Sequence, residues 1–191
     1  MTIDIQPILE NEDVLLTPLR EEDFETLYQI AADPKIWEQH PNKDRWQRDV
    51  FEGYFRGAIE SKGAFKIIEK RTGEIAGSTR FYNYDQNERS IMIGYTFYAT
   101  KFWGKGLNPA VKHLMLHHIS PFVEKVQFHI GATNFRSQVA IQRLGAKKVG
   151  EETVAYYGEA PKHNFVYEIT TRTTSQIPPP PEQPPAPSMS S

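Results

Sequence analysis

The chain has 191 residues, no cysteine, and 22 Lys or Arg against 24 Asp or Glu, for a formal net charge of −2. That length suits one domain with a sizeable core, and the near-neutral charge argues against nucleic-acid or membrane-surface partners, because neither polyanion would attract the molecule as a whole. Without cysteine there are no disulfides, no thiolate metal sites and no acyl-cysteine intermediate. No apolar run reaches the ~18 residues of a transmembrane helix, and the acidic start through Asp4, Glu10, Glu12 and Asp13 is unlike a signal peptide, so a cytoplasmic protein is expected.

In chain order, residues 14–19 predict a first strand. Residues 20–23 open a helix whose apolar positions include Phe24, Leu27 and Ile30, and Pro34 ends it. A polar and aromatic connector, residues 36–41, leads to a second helix over 43–62 with Phe51, Tyr54, Phe55, Ala58 and Ile59 on its packing face and Gly63 as its stop. The aromatic cluster of Trp37, Trp46, Phe51, Tyr54 and Phe55 suits core packing, with an acceptor pocket as the other reading. Residues 64–69 and 75–82 read as a hairpin turned by Thr72-Gly73, and residues 91–98 as a strand rich in β-branched and aromatic side chains. A helix follows with Val111, Leu114, Met115 and Ile119 at helical spacing, then a strand over 126–133, a helix opened by Asn134, and closing strands over 147–156 and 164–170. The order predicts an α/β (α+β) domain: one mixed central sheet with helices on both faces, spanning residues 13–170 with no internal repeat. Residues 171–191 form a Pro/Ser-rich tail whose composition favours polyproline II or disorder and would suit a proline-binding module or no partner at all.

Between the strand 91–98 and the helix after it lies Trp103-Gly104-Lys105-Gly106-Leu107-Asn108-Pro109. Two glycines there let the backbone approach an anion without a Cβ in the way, and the unpaired amides of a helix start supply the attraction. Asn108 is expected as N-cap and Pro109 as the first helical residue. A dinucleotide fingerprint needs a third glycine where Pro109 stands, and a Walker A loop needs Lys-Ser or Lys-Thr where Leu107-Asn108 stands, so both are disfavoured. A second motif is Asn134 to Ala146: Asn134 suits a cap, Val139, Ile141 and Leu144 suit burial, and Gly145 suits the left-handed turn that stops a helix. His113 and His117 lie one helical turn apart, but Leu114 replaces the glutamate of a zinc-protease motif and no third ligand is apparent, so no metal is expected.

The loop and the Asn134 motif together resemble the GNAT superfamily of acyl-CoA-dependent N-acetyltransferases, and within it the branch of the RimJ and RimL ribosomal-protein N-acetyltransferases. The family's loop reads Arg or Gln, two residues, Gly, one residue, then Gly or Ala. Here Trp103 holds the first position, Gly106 the invariant-type glycine and Asn108 the last. The resemblance implies acetyl-CoA as cosubstrate, with its diphosphate on the amides of Lys105 to Asn108 and Lys105 offering a nearby charge, and with the backbone of Thr96, Phe97 and Tyr98 along the pantetheine arm. It implies a primary amine as acceptor, on a small molecule or a protein N-terminus, and allows a homodimer.

Two catalytic positions depart from the family pattern. Ile141 stands where many members have the tyrosine that protonates the thiolate, and Met92 where relatives carry a glutamate base. Ser137, in the first turn after Asn134, is the implied alternative near the sulfur, against a plain helix-end serine. Glu38, His40 and His129 are the candidate bases, each also readable as a structural or surface residue. An N-acetyltransferase, an acyl-CoA-binding regulatory protein without turnover, and an adaptor recognised through its proline tail all remain open at this point.

Overall fold

The computed structural model describes residues 3–155 and 160–171. Among them, eight strands form one sheet in the order β1-β2-β3-β4-β5-β6-β8-β7. The strands are β1 (Leu9–Glu10), β2 (Val14–Pro18), β3 (Ala64–Glu69), β4 (Glu74–Asp85), β5 (Ser90–Tyr98), β6 (Lys125–Gly131), β7 (Lys147–Val154) and β8 (Lys162–Thr170). Four α-helices join them: α1 (Phe24–Ala31), α2 (Arg48–Glu60), α3 (Leu107–Ile119) and α4 (Phe135–Arg143). Every neighbouring pair is antiparallel except β5 and β6, which are connected by α3 and run parallel, as a crossover helix dictates.

Two apolar cores lie on opposite faces. Val111, Met115, Leu116 and Ile119 of α3 and Ile141 of α4 pack with Phe81, Ile91, Val126 and Phe128 of the sheet. On the other face Leu27 and Ala31 of α1 and Phe51, Tyr54 and Phe55 of α2 pack with Trp37, Ala64 and Phe97. At ~1.5–3 kcal/mol for each large apolar side chain fully buried, these cores are the main favourable term in folding. The mixed sheet covered by helices on both faces agrees with the arrangement read from the sequence.

Local differences have identifiable causes. The expected second helix is split: residues 43–46 form a 3₁₀ turn, Gln47 is extended with ψ 137°, and α2 starts at Arg48. Gly63 is not the stop of that helix. Lys62 takes the left-handed turn, with φ 49°, whereas a Cβ on Gly63 would collide with the Phe81 carbonyl of β4. Val139 is 45 % exposed rather than buried, because Ile141 and Leu144 supply the inward face of α4. Of the aromatic cluster, Trp37, Phe51, Tyr54 and Phe55 are buried and Trp46 is exposed. Thr171, expected as the first residue of the tail, is tied to the domain through its amide on the Glu124 carbonyl (2.9 Å) and its hydroxyl on the Val123 carbonyl (2.6 Å). Tyr156, and the rest of the tail from 172 onward, lie outside the described residues.

Candidate active site

β5 and β6 pair over only three positions, Ser90 with Lys125, Ile91 with Val126 and Met92 with Gln127. Beyond them β5 runs on to Tyr98 and β6 to Gly131, and the strands separate around a cavity of about 1230 Å³. Ile93 to Tyr98 line one side and Phe128 to Gly131 the other. The loop before α3 and the first turns of α4 border the cavity, and connector residues Ile36, Trp37, Gln39, His40 and Pro41 complete it. Pro41 sits so close on Gly131 that a Cβ there would overlap its ring.

β5 carries a bulge where the gap opens. Its register with β4 shifts between the Ser78–Phe97 and Arg80–Gly94 pairs, so β5 has one residue more than its partner, and Tyr95 takes up the excess with φ 53°. The Tyr54 hydroxyl of α2 donates to the Tyr95 carbonyl at 2.6 Å, and the Arg80 guanidinium lies 3.8 Å from the Tyr95 ring centroid. Beyond the bulge, the Ala99 amide donates to Ala76 of β4 (2.8 Å), so strand alternation turns the amide and carbonyl of Tyr98 toward the gap. The Trp103 indole N–H takes that carbonyl at 3.1 Å, which leaves the Tyr98 amide as a donor toward the gap.

The loop differs from expectation in its cap. α3 begins at Leu107 with Gly106 as N-cap in the left-handed region, φ 78°, and Gly104 is left-handed as well, φ 72°. Asn108 is therefore inside the first turn, and its side-chain oxygen accepts from the half-buried Tyr98 hydroxyl at 3.3 Å. Burial raises the Tyr98 phenol far above its ordinary pKa, so it stays a donor. A helix start leaves its first amides without intrahelical acceptors, and Pro109 has no N–H, so Gly106, Leu107 and Asn108 supply the free donors. The Lys105 amide instead reaches the Phe102 carbonyl at 3.4 Å, and its ammonium stands 5.6 Å from the Phe102 ring centroid, outside the cavity lining. Three amides at the positive end of a helix suit a diphosphate.

Across the gap, Asn134 caps α4 as expected, its side-chain oxygen accepting the Ser137 amide at 3.2 Å. Ser137 lines the cavity, half-buried, and its hydroxyl takes no partner among the described residues. Arg136 ties the two sides of the cavity: its guanidinium lies 3.9 Å from the Trp103 ring centroid and donates to the Ile36 carbonyl at 3.3 Å, while its amide donates to Gln39 Oε1 at 3.1 Å.

The candidate bases separate clearly. Glu38 is exposed and does not line the cavity. His40 lines it, but its Nδ1 faces the Asn42 amide at 3.0 Å and its Nε2 the Arg45 guanidinium at 3.2 Å, so both nitrogens meet donors. Burial, reinforced by Arg45, pushes its pKa well below the ordinary value, and its single acceptor nitrogen is committed to holding the connector. His129 is different. Its side chain is 9 % exposed, and its Nε2 lies 3.4 Å from a Glu152 carboxylate oxygen. A carboxylate partner favours the proton on Nε2, and that leaves Nδ1 as a buried acceptor without a hydrogen-bond partner. Burial lowers its pKa, against the opposing pull of Glu152, so the ring is neutral at pH 7. Met92 and Ile141 are buried, with no titratable group at either position. His113 closes its Nδ1 on the Pro109 carbonyl of its own helix at 2.8 Å.

Lys112 was not singled out from sequence, and Tyr54 was read there only as a member of the aromatic cluster. Lys112 lines the cavity from α3 with only 4 % of its surface exposed, and its signal was a lysine one turn before Leu116 on the apolar stripe of a helix.

Residues 13–147 match the acetyltransferase (GNAT) domain family, and the chain belongs to that family. No curated protein matches the sequence. Among solved structures, a GCN5-related N-acetyltransferase from Brucella melitensis is similar with a TM-score of 0.76 at 17 % identity, over 90 % of this chain and 83 % of that one. The microcin self immunity acetyltransferase MccE, in complex with acetyl-CoA and AMP, is similar with a TM-score of 0.67 at 17 % identity, over 84 % of this chain and 93 % of that one. Spermidine N-acetyltransferase from Vibrio cholerae, in complex with CoA and spermine, gives a TM-score of 0.67 at 14 % identity over 86 % of this chain and 99 % of that one.

Proposed function

We propose that this protein moves an acetyl group from acetyl-CoA to a primary amine by direct attack in a ternary complex, and that it is of the RimJ/RimL-like branch. The observation that carries the reading is the pairing, across one gap in the sheet, of three free helix-start amides with a buried imidazole whose Nδ1 has no partner. The amides of Gly106, Leu107 and Asn108 would hold the diphosphate, and the Tyr98 amide would meet the pantetheine arm or the carbonyl oxygen as it gains charge. His129 would take the proton that the attacking amine loses, and the Ser137 hydroxyl would hydrogen-bond the departing thiolate and relay a proton to it from solvent. The relatives with bound acetyl-CoA or CoA support the choice of acyl donor.

For the acceptor, a protein N-terminal α-amine is the favoured class, with a small-molecule amine beside it. An α-amine with pKa near 7.7–8.0 is neutral in roughly one molecule in ten at pH 7, a lysine side chain near 10.4 in about one in 2,500. A site whose candidate base is a weak imidazole suits the former. We assign the transfer to a domain of residues 13–170 in the cytoplasm, with residues 178–191 dispensable for it. No helix among the described residues is long and apolar enough to cross a membrane.

A second reading rests on buried Ile141 and Met92, which leave the usual acid and base positions empty of titratable groups. On that reading the protein binds acyl-CoA without turnover. A panel of α-amine peptides, polyamines and small amines with acetyl-CoA, followed by free-thiol release, separates the two, and this cysteine-free chain adds no thiol of its own. Release dependent on an amine supports transfer. Acetyl-CoA binding with no release for any amine selects the second reading.

A further inference from the structure

Lys112 is the only buried lysine among the described residues, and it forms no ion pair with a carboxylate there. Its amine reaches from α3 to the sheet, 2.7 Å from Thr96 Oγ1 on β5 and 3.1 Å from Thr79 Oγ1 on β4. The two hydroxyls are themselves 2.8 Å apart, and Thr79 also contacts the Met115 sulfur at 3.7 Å. Thr96 directly follows Tyr95, the bulged residue. The bulge is thus held from both faces of the sheet, by Tyr54 on the Tyr95 carbonyl and by Lys112 on the Thr96 side chain. An apolar side chain would fill the same space without desolvating an amine, so what the amine adds is its pair of bonds across the β4–β5 step.

We propose that Lys112 is a positioning residue for acyl transfer that acts through Thr96 to fix the bulge and so sets where the free edge of β5 meets the acyl donor. The proposal rests on the reading that the acyl donor occupies the gap between β5 and β6. As a neutral amine, Lys112 has two N–H groups, one for each threonine oxygen, and the hydroxyls in turn reach the Gly94 carbonyl (3.3 Å) and the Met115 sulfur (3.7 Å), so the cluster is satisfied internally. Burial alone draws its pKa down from 10.5 to about 7. No titratable or charged group opposes or assists that shift: β4 presents Thr79, β5 presents Thr96, and Met115 is its neighbour on α3. Nearby His113 is engaged with the Pro109 carbonyl, and Tyr98 with Asn108. Protonation places an uncompensated charge in the core, which water or an outward swing of the side chain must relieve, and either one loosens the bulge. The tether then acts as a brake on the acid side of about pH 7.

The test is amide hydrogen exchange of Thr96, Phe97 and Ala99, the last bonded to the Ala76 carbonyl of β4, corrected for intrinsic rates, in the free protein at pH 8 and pH 6. Neither CoA nor an amine is present, so the result does not depend on whether the protein transfers acetyl groups. A group with pKa near 7 passes from mostly neutral to mostly charged over that interval, so protection of these amides in the wild type should fall by about tenfold. Lys112→Met should show low protection at both values with no dependence on pH. Thr96→Val, which keeps the lysine and breaks the contact, should do the same and serves if Lys112→Met does not fold. Protection that is independent of pH in the wild type, or a wild-type response in either variant, would overturn the proposal. Where transfer is measurable, Lys112→Met should lower kcat by about tenfold with KM for acetyl-CoA changed far less. An intact exchange pattern in a protein that transfers to no amine would sink the transfer reading and leave the tether standing.

Discussion

Ile93 and Phe97 lie on the same strand at positions that strict alternation would place on one face, yet Ile93 packs in the core under α3 and Phe97 in the core under α1 and α2. The extra residue at Tyr95 reverses the facing of everything after it. That reversal turns Thr96 toward Lys112 and leaves Trp37, Tyr54 and Phe97 packed together on the opposite face of the sheet. The bulge therefore decides which groups of β5 face each half of the site.

Gly106 is required by its backbone conformation and not by crowding, since φ is 78° and a Cβ would meet nothing within 4 Å. Gly106→Ala should weaken acetyl-CoA binding by at least about tenfold, because a residue that avoids the left-handed region re-aims the free amides. It should also destabilise the fold by ~1 kcal/mol. Gly73, on the β3–β4 turn with φ 73° and equally open, is the control. Gly73→Ala should lower the melting temperature similarly and leave calorimetric affinity unchanged; equal loss of affinity in both would mean the loop does not hold the nucleotide.

His129 should impose an acid limb on kcat. Burial holds its pKa below 6.5, so the base is competent at neutral pH and is lost as pH falls through that lowered value. His129→Gln should reduce kcat by about 10²-fold and abolish this limb when the acceptor is an amine that does not titrate in the range. A persisting limb in the variant would assign the base elsewhere.

Ser137→Ala separates chemistry from capping. The cap bond runs from the Ser137 amide to Asn134, and the hydroxyl makes no bond among the described residues, so alanine should cost little stability. If the hydroxyl serves the thiolate, kcat should fall by roughly 10²-fold with acetyl-CoA binding nearly unchanged. Normal kcat at saturation would leave water or the substrate as the proton source.

Lys112 should make stability depend on pH in a defined direction. Its folded pKa of about 7 lies below the unfolded 10.5, so within that window the unfolded chain holds more protons and the folded state gains as pH rises. The stability of the wild type relative to Lys112→Met, from denaturant titrations, should therefore increase between pH 7 and pH 10. A constant difference would show that the amine is charged in both states.

What the sequence made legible was local. The cap at Asn134, the left-handed Gly145 with φ 91° and the turn at Gly73 are each decided by a few neighbouring residues, and each appears where the residue types place it. Asn108 was misread because the left-handed Gly106 moves the helix start forward and the Tyr98 hydroxyl claims the Asn108 side chain. The short pairing of β5 with β6, the meeting of Lys112 with Thr79 and the two donors around His40 depend on residues distant in the chain, and no local pattern encodes them. Among the three candidate bases, only burial and partner geometry single out His129.

The most direct measurement is the crystallographic position of acetyl-CoA bound to this protein. The account predicts diphosphate oxygens within hydrogen-bond distance of the Gly106, Leu107 and Asn108 amides, and the thioester in the gap between Tyr98 and Ser137 with the His129 imidazole facing it. Acetyl-CoA bound outside the β5–β6 gap, or a diphosphate held by side chains alone, would contradict it.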